Sequence, residues 1–158
     1  MIDFLKKFQL NIALVGVILF TLGTSGVHSQ VTYDGCYDIN GIPVASVAAR
    51  VDNVAIATIH NGHPVIFYNP QVLSWFHPVT REFWYFHECA HHALGHAFRN
   101  NPLSREKQAD CWAIVNMKKL GLLSEERMAI IQNDIRKLPG DGWVYLPGPQ
   151  RAISFEFC

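Results

Sequence analysis

The stretch His87-Glu88-Cys89-Ala90-His91 constrains the fold more than any other part of this chain. On an α-helix, residues four apart lie one turn apart on the same face, so a helix here would direct both imidazoles at one point. The carboxylate of Glu88 would reach a water molecule held at that point. This HExxH pattern is typical of helices that bind zinc through two histidines and use the glutamate as a general base. We therefore predict a zinc-binding helix with one zinc ion per chain.

The predicted zinc-binding helix covers residues 80–98. Thr80 is a residue type that caps helix N-termini, and Asn100-Asn101-Pro102 is a stop signal. The helix is apolar on most sides, as expected for an active-site helix held in a packed core. The competing interpretation is a histidine-rich helix that holds no metal.

A second predicted helix, at residues 104–120, carries Glu106 and Asp110 one turn apart, with Ser104 as its N-cap and Gly121 as its stop. Two carboxylates on one helix face repel unless a cation or a hydrogen-bond donor separates them. We predict that Glu106 is the third zinc ligand and that Asp110 accepts a hydrogen bond from a ligand histidine, fixing its ring. The competing interpretation is a solvated acidic face.

The other histidines of this region are not predicted as ligands. His92 and His96 fall off the metal-facing side of the predicted helix, so we expect them to be supporting, capping or surface residues. His60 and His63 flank a predicted turn and are expected at the surface. His77 precedes a proline and is expected in a cap or loop.

Short apolar runs at residues 44–51, 54–59 and 64–68 predict strands, and Asn61-Gly62 between the last two predicts a type I′ hairpin. Beyond the two site helices, a packing helix is predicted to begin at Ser124 and to end by Leu138. The expected fold class is α+β: a small antiparallel sheet followed by a zinc-binding HExxH helix, a glutamate-ligand helix and a packing helix.

Residues 1–29 have the pattern of a signal peptide. Lys6 and Lys7 precede an apolar stretch at residues 10–22, and Val27-His28-Ser29 offers a small-residue cleavage site. We expect residues 30–158 to form one exported domain, periplasmic or secreted, without membrane contact after cleavage. The alternative is an uncleaved N-terminal anchor.

The exported domain contains all four cysteines, which predicts disulfide bonds. Of the three possible pairings, we favour Cys89–Cys111 with Cys36–Cys158, because the two site helices must pack together. The formal net charge of the 158 residues is zero, and no basic run is present, so nucleic acid is not a predicted partner.

With these motifs in place, residues 65–120 resemble the gluzincin zinc metallopeptidases, most closely the minimal-domain HtpX, CAAX-prenyl endopeptidase and ImmA/IrrE-like types. The resemblance rests on the HExxH motif, on the later Glu106-Lys107-Gln108-Ala109-Asp110 segment, and on Tyr68-Asn69-Pro70 upstream. It implies that His87, His91 and Glu106 bind zinc and that Glu88 is the catalytic base. The metzincin pattern, with its later glycine and histidine, does not fit.

The resemblance implies hydrolysis of peptide bonds in a peptide or protein substrate. The family's histidine in a Thr-His-Pro segment is missing here, which leaves Arg151 or Tyr145 as possible oxyanion stabilisers. The strand that ends at Tyr68 is expected to bind substrate by edge addition. Two alternatives stay open: a non-catalytic exported zinc-binding or partner-binding module, and a hydrolase of another amide such as a cell-wall cross-link.

Overall fold

The computed structural model describes residues 35–96, 103–140 and 146–158. The expected α+β class is confirmed: the described chain forms a three-stranded mixed sheet and five helices. The strands are β1 (Ala45–Ala48), β2 (Ala55–His60) and β3 (His63–Tyr68). The helices are α1 (Pro70–Leu73), α2 (Pro78–Ala93), α3 (Leu103–Lys119), α4 (Glu125–Ile135) and α5 (Gly148–Ser154), followed by a 3₁₀ turn at Phe155–Phe157.

The β2–β3 hairpin is confirmed, with Asn61 and Gly62 both at positive φ (50° and 79°), as a type I′ turn requires. The expectation of a purely antiparallel sheet was wrong, because β1 pairs with β3 in parallel and the strand order is β1-β3-β2. The connection from β1 to β2 crosses the end of β3, where the Asn69 side chain donates to the carbonyl of Val51 and the Asn69 N–H donates to that of Val54. β3 is therefore the central strand.

Helix α2 begins at Pro78 and not after a Thr80 cap. The Asp134 carboxylate of α4 accepts from the His77 backbone N–H at 3.0 Å and from the Thr80 hydroxyl at 2.9 Å. Pro78 suits the first helical position because it has no N–H to satisfy. The N-terminus of α2 is thus capped by another helix, which local sequence does not reveal.

Helix α2 ends at Ala93, five residues before the predicted end. Gly95 follows with a φ of 72°, the left-handed conformation that stops a helix and that glycine adopts most readily. The predicted starts and ends of α3 and α4 agree with the structure within a few residues. The Ser124 hydroxyl caps α4 by accepting from the Arg127 N–H.

Two apolar clusters hold α2 in place. The larger joins α2 to α3, α4 and the C-terminal segment through completely buried side chains, among them Phe83, Ile114, Met117, Ile131 and Phe155. The smaller joins α2 to the sheet through Cys36, Ala55, Ile66 and Cys89. Helix α2 therefore packs against the sheet on one side and against helices on the other, which positions it as the centre of the domain.

The disulfides are Cys36–Cys89 and Cys111–Cys158, so the predicted pairing was wrong. Cys89 points into the sheet-side cluster, where Cys36 reaches it, whereas Cys111 on α3 meets the C-terminal segment. Two disulfides are typical of proteins that fold in an oxidising environment. No helix in the described ranges is long and apolar enough to cross a membrane. The predicted signal peptide at residues 1–29 lies outside those ranges.

Candidate metal centre

His87, His91 and Glu106 meet where α2 packs on α3. His87 Nε2 lies 3.2 Å from His91 Nε2 and 3.2 Å from Glu106 Oε2, and His91 Nε2 lies 3.5 Å from Glu106 Oε1. Tetrahedral zinc with bonds of about 2.0–2.1 Å has ligand atoms about 3.3–3.4 Å apart. The three side chains therefore present their donor atoms at the separations that one small tetrahedral ion requires.

These three side chains are nearly inaccessible to solvent, with exposed fractions of 1% for His87, 3% for His91 and 3% for Glu106. Buried polar atoms need partners. Yet Glu106 Oε2 makes no well-formed hydrogen bond within the part of the chain that the structure describes. A cation bound among the three side chains would satisfy this oxygen, so the residues present fit a metal ion.

The electrostatics of the metal-free site are those of a cation site. Burial by itself would lower the pKa of His87, but contacts with Asp110 and Glu106 raise that pKa to about 9. Burial would raise the pKa of Glu106, but contacts with His87 and His91 lower it to about 2. At neutral pH the site thus holds a carboxylate next to a protonated imidazole. A metal ion bound here would take the place of the proton between His87 Nε2 and Glu106 Oε2.

Asp110 lies behind His87, on the side of the ring away from the other ligands. Its Oδ1 accepts a hydrogen bond from His87 Nδ1 at 2.8 Å, so the predicted contact with a histidine is present. Burial would raise the pKa of Asp110, but the charge of Arg151 and the bond from His87 lower it. Asp110 therefore stays ionised and keeps one proton of His87 on Nδ1, so that Nε2 is the nitrogen that would bind a metal ion in place of its own proton.

Arg151, on α5, binds both oxygens of Asp110, with Nε and Nη2 at 2.8 and 2.6 Å, and its guanidinium lies 5.0 Å from the centre of the Trp84 ring. Its Nη2 is 3.5 Å from His87 Nδ1, which places it on the far side of that ring from Nε2. The structure therefore places Arg151 behind the site, where it supports Asp110. Tyr145, the other candidate oxyanion stabiliser, lies outside the described residues.

Glu88 follows His87 on α2, and its buried carboxylate contacts the sheet. Its Oε2 accepts a hydrogen bond of 2.7 Å from the backbone N–H of Ala57 on β2. In an antiparallel pair, successive residues point their backbone groups alternately toward the partner strand and away from it. Because the backbone N–H of Ala57 points away from β3, the backbone groups of Ala55 and Ile59 point away from it too. The carboxylate of Glu88 is therefore held at the outer edge of β2, a contact that sequence analysis did not anticipate.

His92 and His96, expected as supporting, capping or surface residues, are both buried. His92 donates from Nε2 to the carbonyl of Val65 at 3.0 Å, joining α2 to β3, and burial lowers its pKa. His96 Nδ1 lies 3.2 Å from His91 Nδ1, and burial lowers its pKa as well. His60 and His63 are exposed at the hairpin, and His77 is the N-cap residue of α2, as predicted.

Comparison with known proteins gives no match: no protein-family model, no curated protein and no solved structure matches this chain. Within the described residues, the group of His87, His91 and Glu106 is suited to hold a metal ion.

Proposed function

We propose that this protein is an exported zinc-dependent metallopeptidase. The donor set supports zinc, since two imidazoles and one carboxylate are a usual ligand set of catalytic zinc sites. Three protein ligands leave one tetrahedral position for water or substrate, whereas structural zinc sites usually have four. The two disulfides and the signal-like pattern of residues 1–29 support export.

Glu88 is the observation that carries the proposal. A site that binds zinc only for stability has no need of a carboxylate on the residue after a ligand, yet Glu88 is 6% exposed and its carboxylate is held in place by the Ala57 N–H. When bound, zinc would lower the pKa of a coordinated water toward neutrality. Glu88, with Oε2 held by the amide, uses its other oxygen to accept the proton of the attacking water and then delivers that proton to the leaving amine.

The substrate is proposed to bind along β2. Edge addition to the strand ending at Tyr68, as first expected, is excluded because β3 has a neighbour on each side. β2 is an edge strand, and Ala55 and Ile59 turn their backbone groups outward on either side of Ala57, whose N–H is bound to Glu88. An extended peptide added to this edge would bring a scissile carbonyl to the general base.

The test compares Glu88→Gln with the wild type and with Glu82→Gln, a change of the same kind on the same helix at the ion pair with Arg127. Zinc content is measured after purification with disulfides intact, and a peptide library is analysed by mass spectrometry for new termini. We expect about one zinc per chain in all three proteins, and cleavage by the wild type and Glu82→Gln only. Zinc binding without cleavage by the wild type would favour a non-catalytic zinc module. Cleavage that survives Glu88→Gln would refute the proposed mechanism.

A further inference from the structure

His91 has a buried partner on the side of its ring that faces away from the other ligands. Its Nδ1 is 3.2 Å from Nδ1 of His96, and Nε2 of His96 is 3.1 Å from Oε1 of Gln108. His87 and His91 therefore each have a polar side chain at Nδ1: Asp110 for the first and His96 for the second. Gln108 lies between Glu106 and Asp110 on α3. This helix therefore supplies one candidate ligand, Glu106, and also the residues that contact the other two, directly through Asp110 or by way of His96.

The direction of these hydrogen bonds is set by Gln108, the residue at the end of the chain of bonds. A carbonyl oxygen only accepts, so the bond to Gln108 requires the proton of His96 to be on Nε2. Neutral His96 then has an unprotonated Nδ1 that accepts from the Nδ1–H of His91. His91 is left with its lone pair on Nε2, the atom that lies 3.2 Å from His87 Nε2. The chain of bonds thus selects the one tautomer of His91 that can bind a metal together with His87.

His96 reaches His91 because α2 stops early. In a continued helix, a residue five positions after His91 would point away from it. Gly95, in the left-handed conformation with its N–H bonded to the carbonyl of His92, ends the helix and turns the chain back over the last turn. A Cβ on Gly95 would also lie 3.3 Å from the Ile39 side chain.

We propose that His96, held by Gln108, is a positioning residue that fixes the ring and tautomer of the zinc ligand His91. The inference rests on the zinc site of the proposed function. It extends that site by a residue that touches neither metal nor substrate. Residues in this role typically contribute 10–100-fold to metal affinity.

The test measures zinc affinity by chelator competition and the visible absorption spectrum of the Co²⁺-loaded protein. His96→Leu removes the acceptor, and His96→Asn keeps one, since the amide oxygen of Asn can occupy the position of Nδ1. We expect His96→Leu to weaken zinc binding about 10–100-fold and to change the Co²⁺ spectrum, and His96→Asn to restore most of the affinity. His92→Leu, the same change at a neighbouring buried histidine, should lower the melting temperature and leave zinc affinity within a few-fold of wild type.

A second pair of variants avoids any change to a histidine. Gly95→Ala and Gly121→Ala impose the same left-handed strain, at φ values of 72° and 69°, but only Gly95 directs His96. We expect the first alone to weaken zinc binding. Wild-type affinity and an unchanged Co²⁺ spectrum in folded His96→Leu would overturn the inference, as would equal losses in His96→Asn and His96→Leu. If His96→Leu does not fold, equal zinc affinity in the two glycine variants would overturn it. A wild type that binds no zinc would instead refute the proposed function itself.

Discussion

Asp110 and Arg151 form an ion pair that is almost fully buried, with exposed fractions of 2% and 5%. Such a pair contributes little net stability when intact, but removing one partner leaves an uncompensated charge in the interior. The two residues differ in what remains after the other is removed. Without Arg151, Asp110 still has the proton of His87. Without the carboxylate, the buried guanidinium loses its two hydrogen bonds to Asp110.

We therefore expect Asp110→Asn to lower the free energy of unfolding of the metal-free protein by about 3–5 kcal/mol. Arg151→Met should cost less, and the double variant should cost less than the sum of the two. Urea unfolding in the presence of a chelator measures all three. If Arg151→Met keeps wild-type stability and zinc affinity but loses turnover, the result would instead support the prediction from sequence that Arg151 stabilises the oxyanion.

At the scale of the element, the start of α2 depends on a residue that is distant in sequence. Asp134 accepts hydrogen bonds from His77 and Thr80, and it is itself 5% exposed. Burial would raise the pKa of Asp134, but the bonds from His77, Thr80 and Lys137 lower it below its usual value. Because the folded-state pKa is lower than the unfolded one, the ionised carboxylate stabilises the fold above the unfolded pKa. That contribution is lost as the pH falls through the folded value.

Asp134→Ala should thus lower the free energy of unfolding by about 1–2 kcal/mol at neutral pH, the usual value of a helix cap. The difference from the wild type should shrink as the pH falls below the ordinary aspartate pKa of about 4 and through the lower folded-state pKa of Asp134. Denaturant unfolding at several pH values measures it. Asp52→Ala, at an exposed aspartate between β1 and β2, serves as the control and should change stability little. A difference that stays constant down to acid pH would show that the charge of Asp134 is not what caps α2.

The features that sequence analysis predicted correctly depend on neighbours in the chain. Asn61-Gly62 determines its own turn, Ser124 caps its own helix, and the spacing of His87 and His91 places them on one face. The features that it missed depend on contacts between distant segments. The start of α2 is fixed by its hydrogen bonds to Asp134. The connection that crosses the end of β3 makes β1 parallel to β3. Cys89 pairs with Cys36 because it is buried on the side of α2 that faces the sheet. His96 was missed for a different reason: Gly95 is a helix-stop signal, and the predicted helix continued past it.

At the scale of the whole domain, each disulfide joins one site helix to a segment that supports it. Cys36–Cys89 ties the segment before β1 to α2, and Cys111–Cys158 ties the C-terminal segment, with Arg151, to α3. The sequence separations, 53 and 47 residues, are nearly equal. Because the two bonds close loops of similar length in the unfolded chain, each should stabilise the fold by about 4 kcal/mol. The first is attached to α2 itself, between His87 and His91, whereas only the second holds the segment whose Arg151 supports Asp110 behind His87.

Replacing both cysteines of either pair by alanine should lower the melting temperature to a similar extent. Zinc affinity should fall more in the Cys111→Ala, Cys158→Ala protein, because a loosened Arg151 no longer holds Asp110 behind His87. Differential scanning calorimetry of the metal-free proteins and chelator competition give the two quantities. Equal zinc affinities in the two double variants would show that the C-terminal segment does not support the site.

The disulfides also bear on how the proposed zinc ion would be acquired. Before oxidation the chain carries four thiols, and thiolates are strong zinc ligands that an unfolded chain can present in many combinations. A zinc ion offered at that stage would be captured by these sulfurs and would stabilise the unfolded chain. Disulfide formation removes all four competitors from the described domain, where no free cysteine remains. On the proposed function we therefore expect disulfide formation to come first, and zinc binding at the imidazole–carboxylate site to follow it.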